Sequence, residues 1–559
     1  MQLIDVSAHL SLLPETLGRN ETVDWIPVDL LSAAIFEIST TAPSSSGATR
    51  IVHAVNPRTV RWKESLLPVV ARYLNGNTKS GQPVKIISLG DWVKALDAAA
   101  RRESAESDVH GNLSAFKLLP FFTGLLKGGL RPTFETVKCS ALSTTLKDLP
   151  AVRAVWAAVW LEQWKYQATH PVEDSNLFAP AKLGRASLSH RIVMAPMTRR
   201  RATTDFVPTP LMVEYYAQRA SVPGTLLISE ATAISPRSGS PPNTPGIWSD
   251  PQIDAWKEVT TGVHARGSFI YMQLWVVGRA IRIGALEQGA EAISSGDVPV
   301  GPDSPVPRPL REEELQDVIG DFREAAKKAI LAGFDGVELH GANGYLLDQF
   351  TQDVSNNRTD HWGGSIENRS RFPLAVAGAV ADAIGPDRVG YRISPWSRHH
   401  GMRMADPVPQ FSHLVSRLRK LRLSYLHVIE SRVQGPMDVH SDPSAESVQF
   451  AAEIWGETSP IIFAGGYNAH SARQKADEEA EKDRQGLVAF GRTFLSNPDL
   501  PTRIQRLLPV TKYIRDLFYE VGKAEGYVDY PSWAEEEHRS DGGLSNEHIW
   551  PTGPSAILQ

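Results

Sequence analysis

REEELQDVIGDFREAAKKAILAGFDGVELHGANGYLLDQF (311–350) reads as a helix, a strand and a polar turn in one unbroken run. Leu315, Val318, Ile319, Phe322, Ala325, Ala326, Ala329 and Ile330 recur at helical spacing and make one apolar face. Its acidic start, basic end and closing Gly333 suit a helix of that direction, since acids favour the positive end of the helix dipole and glycine ends the last turn. GVELH (336–340) follows at once as a strand, and His340 opens a polar turn.

Seven further runs have the same texture: IVMAP (192–196), TLLISE (225–230), FIYMQL (269–274), VGYRIS (389–394), YLHVIE (425–430), IIFAGG (461–466) and LVAFGR (487–492). Strands that are apolar throughout, rather than alternating, belong to a parallel sheet buried on both sides. Eight such strands with amphipathic sequence between most of them, over 176–535, predict a (β/α)8 TIM barrel with insertions. The rival, an open doubly wound sheet, wants a glycine-rich nucleotide loop after an early strand, and there is none.

The chain has 559 residues, beyond the ~250–300 at which one core stops growing, so a second domain is expected. It precedes the barrel, over 1–165; THPVEDSN suits a linker at 166–175, and 536–559 is a tail. The composition is 42% hydrophobic and 22% charged, with 58 basic against 63 acidic residues. No basic stripe argues for nucleic acid, and no apolar run is long enough to span a bilayer. The start MQLIDVSAHLSLL lacks the pattern of a secretory signal, and the single Cys139 excludes an internal disulfide framework. A cytoplasmic protein is expected, with Cys139 as a buried small hydrophobe.

In a barrel the active site lies at the C-terminal strand ends. The first strand ends in Met197-Thr198-Arg199, the third in Gln273-Leu274-Trp275, and the fourth in His340 followed by Asn343 and Tyr345. The fifth carries Arg392, the seventh ends in Gly465-Gly466, and the eighth in Gly491-Arg492. There is no His-x-His after the first strand, and strands five and six end without a further imidazole or carboxylate cage, so no metal site is expected. No strand-borne lysine is placed for a Schiff base.

Glycines after strands seven and eight let backbone N–H groups approach a phosphate, with Arg492 adding fixed charge. The bland alternatives are tight turns and a surface ion pair. His340 and Asn343 offer two donors to a carbonyl oxygen on which charge builds, and the Tyr345 phenol offers a proton. Against that stands a satisfied structural histidine beside a turn-forming Asn-Gly.

Together with NTPGIWSD (243–250), RTDHWGGSIENRSRF (358–372), IIFAGGY (461–467), FGRTFLSNPDL (490–500) and GYVDYP (526–531), these residues resemble the Old Yellow Enzyme family over essentially all of 176–535. The resemblance implies FMN at the barrel mouth, reduced by NADPH or NADH and reoxidised by a small α,β-unsaturated carbonyl compound. It matches Thr198, Gln273 and Arg392 to the flavin ring, and Gly465, Gly466, Gly491 and Arg492 to the phosphate. It matches His340 and Asn343 to the substrate carbonyl and Tyr345 to the proton donor. Phe518 and Tyr519 match an aromatic pair lining the flavin pocket, and Trp275 and Tyr519 are expected beside the substrate. Strand seven departs from the family by reading AGGY, where many relatives have asparagine second, and 276–310 resembles no relative closely. That insertion is expected to shape substrate access.

Residues 1–165 resemble the C-terminal end of the reductase domain of fungal adenylate-forming reductases, in VDWIPVDLLSAAIFEI (23–38), RIVHAVNPRTVRW (50–62) and IISLGDWVKAL (86–96). The resemblance implies a fragment of an extended short-chain dehydrogenase. Neither a glycine-rich NADP loop nor Tyr-x-x-x-Lys occurs there, so a non-catalytic α/β segment is expected, the alternative being a docking module. For the barrel, the alternative activity is flavin-dependent alkene isomerisation, against which a proton donor at Tyr345 argues.

Overall fold

The computed structural model describes residues 2–40, 52–75, 84–106, 119–126, most of 134–161, 175–281, 291–438 apart from 436, 446–535 apart from 507, and 549–550. The chain divides into two compact units, one built on residues 1–171 and the other on residues 172–554.

The larger unit is built on eight parallel strands: β1 (Ile192–Met194), β2 (Leu226–Ile228), β3 (Phe269–Trp275), β4 (Gly336–Gly341), β5 (Val389–Ile393), β6 (Tyr425–Ile429), β7 (Ile461–Ala464) and β8 (Gly486–Phe490). Each pairs with the next, and β8 pairs with β1, which closes the barrel. All eight expected strands are present, most of them trimmed by one to three residues where the chain turns toward the mouth. A helix follows each: α1 (Pro210–Arg219), α2 (Asp250–His264), α3 (Glu312–Leu331), α4 (Ile366–Ile384), α5 (Val408–Arg419), α6 (Gln449–Trp455), α7 (Ala469–Ala480) and α8 (Leu500–Gln505).

Helix α3 is the segment expected from its spacing. Leu315, Val318, Phe322, Ala325, Ala326 and Ala329 are buried, while Ile319 and Ile330 sit half-buried on the flank of the stripe. Glu314 reaches back to accept the N–H of Arg311 at 2.7 Å, occupying a donor that the first turn cannot use itself. Gly333 takes a left-handed φ of 89°, where only glycine is unstrained, and so ends the helix. On α2, Ile253, Trp256, Val259 and Val263 face the strands, and Trp256 packs edge-on against Phe334. Burying a side chain of that size contributes about 2–3 kcal/mol.

A hairpin of Ala181–Leu183 and Ala186–Leu188 plugs the barrel at the strand beginnings. Its Leu183 and Leu188 join Val193, Leu226, Ile228, Tyr271, Ile462 and Leu487 in the apolar lower interior. Polar inward-facing side chains therefore have room only above this level, toward the C-terminal strand ends.

The smaller unit has helices Gln2–Leu10, Val28–Thr40, Leu67–Asn75 and Leu89–Glu106, and a parallel pair of short strands, Leu12–Pro14 with Lys85–Ile87. Two apolar clusters form around the buried Trp62 and Trp92. Cys139 is buried, its thiol donating to the Thr136 carbonyl at 3.1 Å. Ala157 and Leu161 are buried in the Trp62 cluster with Trp156 and Trp160 against it, whereas the linker 166–175 and the tail 536–559 lie almost wholly outside the described residues. No helix among the described residues is long and apolar enough to cross a membrane.

Candidate active site

The parallel register fixes which side chains share a level inside the barrel. Gln273, Glu338, Gly390 and Tyr425 are aligned on β3 to β6, and two residues higher His340, Arg392, His427 and Ile462 are aligned on β4 to β7. Glu338 organises the lower level: Oε1 accepts from Gln273 Nε2 at 2.7 Å, and Oε2 from the Tyr425 hydroxyl at 3.0 Å and His427 Nδ1 at 2.8 Å. Tyr425 reaches across Gly390, where a Cβ would lie 2.1 Å from its ring, so the glycine is what admits the phenol. Burial works to raise the Glu338 carboxyl, but His427, Arg392 and Gln273 outweigh it and hold it below the usual carboxylate range. Burial in turn holds His427 below the usual histidine range. The pair is thus a carboxylate facing a neutral imidazole that carries its proton on Nδ1.

Above this level the polar atoms lose their protein partners. Arg392 Nε, His340 Nδ1, Trp275 Nε1 and Asn343 Oδ1 are buried and have no hydrogen-bond partner among the described residues. Buried polar atoms are rarely left so, and four at one end of a barrel point to a ligand that satisfies them. His340 Nδ1, the atom that a satisfied core histidine would have paired, is one of the four. Burial, reinforced by Arg392, His427 and His400, keeps its imidazole far below the ordinary range and therefore neutral.

Tyr345 stands in the centre of an aromatic box. Its ring meets Trp275 at 5.0 Å, His340 at 4.9 Å and His400 at 5.2 Å, all edge-on. Asn343 and Gly344 turn the chain with left-handed φ of 58° and 75°. The Asn-Gly dipeptide is therefore a turn. The turn is held from three sides: Ser394 Oγ accepts the Asn343 N–H at 2.8 Å, His400 Nδ1 bonds the Asn343 carbonyl at 2.9 Å, and Asp348 accepts the Gly344 N–H at 2.9 Å.

The described part of the insertion 276–310 is anchored here too. Arg279, buried, donates to the carbonyls of Val298 and Pro299 and to those of His400 and Gly401, tying the loop after β3 to the loop after β5. Residues 282–290 of the insertion lie outside the described residues.

On the opposite rim, Gly465 and Gly466 follow β7 with φ of 127° and 67°. Gly491 follows β8 with an ordinary negative φ, and a Cβ there would meet nothing closer than Met197 at 3.5 Å. The β7 pair takes the left-handed φ that glycine admits without strain. Arg492 opens a short helix and donates to the Tyr513 hydroxyl at 3.1 Å. Thr198 is half-buried just past β1, and the next two N–H groups, of Arg199 and Arg200, are held by Glu230.

The C-terminal segment is fastened by guanidinium groups. Arg199 and Arg201 donate to the carbonyl of Phe518, Arg199 also to Gly526, and Arg219 to Leu495 and Tyr527. Tyr527 stacks on Tyr215 with centroids 4.1 Å apart. This places Phe518 in the core, whereas Tyr519 is 47% exposed and its ring neighbour among the described residues is Phe518. Of the substrate-side residues expected from sequence, Trp275, His340 and Tyr345 are brought together, and Tyr519 is not in that box.

Sequence reasoning missed Glu338, His427, Glu230 and His400. His427 and Glu338 sit within strands that were read for their ends alone, and the inward polar residue in an apolar run was the signal available. Among the described residues no group of three or more His, Cys, Asp or Glu side chains is placed to hold a metal ion.

A closed β/α barrel, plugged below and lined above by unsatisfied polar atoms, with paired left-handed glycines on its rim, defines a site for a planar hydrogen-bonding cofactor that carries an anion. The model of the NADH:flavin oxidoreductase / NADH oxidase family matches residues 176–510. The chain is 52% identical over 363 residues to a chanoclavine-I aldehyde reductase of Penicillium roqueforti, covering 65% of this chain and 97% of that one. It is 50% identical over 365 residues to a probable inactive reductase of Epichloe festucae var. lolii, covering 64% and 96%. Among solved structures it resembles Old Yellow Enzyme from a Pichia species (TM-score 0.60, 36% identity, 68% of this chain and 100% of that one). It also resembles morphinone reductase (TM-score 0.59, 37% identity, 65% and 97%). The chain belongs to the NADH:flavin oxidoreductase family of Old Yellow Enzyme. Its cofactor is FMN, with NADH or NADPH as hydride donor.

Proposed function

We propose that residues 176–535 form an ene-reductase, which saturates the C=C bond of a small α,β-unsaturated carbonyl compound. The observation that carries this reading is the box around Tyr345, with the orphaned nitrogen of His340 beside it. FMN, when bound, supplies the hydride it has accepted from NADPH or NADH. Gln273, its amide nitrogen committed to Glu338, presents an acceptor oxygen to the pyrimidine edge of the flavin. Arg392 provides a buried positive charge beside that edge, and Thr198 a hydroxyl on the facing rim. Gly465, Gly466 and Gly491 offer backbone N–H groups to the phosphate and Arg492 its charge.

On the substrate side, His340 stays neutral and donates a hydrogen bond with Asn343 to the carbonyl oxygen. Negative charge builds there as the β-carbon is reduced, and one such donor is worth about 100- to 1000-fold in rate. Tyr345 delivers its hydroxyl proton to the α-carbon, which traps the saturated product instead of an isomer. Trp275 walls the substrate, and Tyr519 borders the entrance. No hydride-transfer role is assigned to residues 1–165.

The test uses the full chain. It should purify yellow, or become so with added FMN, bleach anaerobically with NADPH, and recolour when cyclohexenone is added, releasing cyclohexanone. A protein that cannot hold FMN overturns the site; one that bleaches but is not reoxidised by any enone overturns the substrate class, as the name of the Epichloe relative cautions.

A further inference from the structure

The proton that Tyr345 gives away must be replaced before the next turnover. Three rings surround it, those of Trp275, His340 and His400. The indole of Trp275 donates hydrogen bonds only and does not exchange protons near neutral pH. His340 is buried, held neutral, and faces the substrate carbonyl in the reading above. His400 is half-buried on the loop after β5 and contacts Tyr345 edge-on at 5.2 Å, so of the three it alone combines a titratable ring with access to water.

The backbone bond of His400 defines how it works. A carbonyl oxygen only accepts, so the 2.9 Å contact to Asn343 places a proton on Nδ1. Any proton that His400 takes up or passes on therefore moves through Nε2. The ring cannot swing away from Tyr345 without breaking that bond. Its backbone is also held, in a left-handed conformation (φ 55°), by Arg279, which donates to the His400 and Gly401 carbonyls. Such strain in a non-glycine residue persists only where the surroundings enforce it.

We propose that His400 returns the proton to Tyr345 between turnovers, relaying it from solvent. The proposal rests on the reading of Tyr345 as proton donor. In balance, the Tyr345 O–H bond breaks as a C–H bond forms at the α-carbon of the substrate, leaving a phenolate. The Nε2–H bond of the His400 imidazolium then breaks as the phenol O–H re-forms, and the neutral imidazole takes a proton from water. No electrons move in this step. Tyr345 meets the His400 ring edge-on, His340 lies within electrostatic reach of it, His399 is beside it with ring centroids 3.8 Å apart, and Arg279 binds its backbone carbonyl. The relay carries its proton as the imidazolium, so it is proton-loaded at lower pH and fails as pH rises.

The test is His400→Gln in the FMN-loaded full chain, since a glutamine amide can still donate to the Asn343 carbonyl but carries no exchangeable charge. A single reoxidation by cyclohexenone, starting from protonated Tyr345, should slow far less than steady-state turnover, since Gln loses the ring contact to Tyr345 but keeps the bond to the Asn343 carbonyl. Steady-state turnover should fall by about tenfold, less than the ~100-fold expected for a proton lost from the transition state itself, because water substitutes slowly. The deficit should widen with rising pH and be restored by added imidazole. Equal loss in the single reoxidation, without imidazole rescue, would make His400 a purely positional residue and overturn the relay. Unchanged turnover and pH profile would overturn it as well. A wild-type protein that does not reduce cyclohexenone fails earlier, and takes the parent reading and the relay with it.

Discussion

The carboxylate of Glu338 binds the neutral imidazole of His427 at 2.8 Å and, through its other oxygen, the amide of Gln273 at 2.7 Å. One buried acid thus orients side chains from β3 and β6, with Tyr425 completing its shell. Glu338→Gln keeps the volume but removes the charge and turns one acceptor into a donor that must oppose the Gln273 amide or His427. It is expected to lower stability by about 1–3 kcal/mol, the cost of a buried mismatch. It should also loosen the FMN, because the Gln273 amide is then free to turn. Thermal unfolding and the rate of flavin release after dilution measure both; unchanged flavin release would detach Gln273 from Glu338 in function.

Tyr345→Phe removes only the hydroxyl, and the edge contacts of the ring to Trp275 and His340 survive. Reoxidation by enone should slow by about 100-fold, a typical figure for a positioned proton donor, while reduction by NADPH stays within about twofold. Stopped-flow absorbance of the two half-reactions reads this directly. Equal slowing of both would remove Tyr345 from the role of donor.

At Gly465, φ is 127°, and a Cβ would come within 2.9 Å of the Glu430 Cβ. Gly465→Ala is expected to shift the β7 loop at a cost of about 1–3 kcal/mol and to leave the protein short of flavin. Gly491→Ala, where φ is negative and space is adequate, should retain it. Flavin absorbance per protein compares the pair, and equal retention would argue that the β7 rim does not bind the phosphate.

Asp348 holds the Gly344 turn, and burial pushes its carboxyl up from 3.8 to about 7. A raised folded value means that its contribution to stability is full below the unfolded value of about 4 and is lost as pH rises through about 7. A shift of that size corresponds to at most about 4 kcal/mol. The buried imidazoles of His190, His340 and His427 are held low and act with the opposite sign, losing stability as pH falls below their ordinary 6.5. The comparison with Asp348→Asn cancels them. Its stability deficit relative to wild type should shrink from pH 4 to pH 7 and then level off, as followed by denaturant unfolding. A deficit that is independent of pH would show that Asp348 is ionised throughout.

The barrel was legible because its signal is repetitive and local. Eight apolar runs and the face of α3 obey a spacing that backbone geometry imposes, whatever the rest of the chain does. The strand-end residues were legible for a related reason: a parallel barrel puts its C-terminal ends on one rim, so topology alone gathers Gln273, His340, Arg392 and Gly465. Tyr519 shows where that logic stops. Likeness, not strand position, puts it beside the substrate, and the segment that carries it is positioned by Arg199, Arg201 and Arg219 binding backbone carbonyls, a contact with no sequence signature.

For the site around Tyr345, the sequence by itself determined that Tyr345 stands beside His340 and Asn343, and the end of the barrel on which they stand. Tertiary structure alone decided their state. That His340 is neutral, that Glu338 is ionised beside His427, and that His400 lies against Tyr345 all follow from burial and from neighbours tens of residues distant in the chain. Side-chain charge in a protein interior is set by the local balance of desolvation against nearby charges and hydrogen bonds, and that balance exists only once the strands have closed.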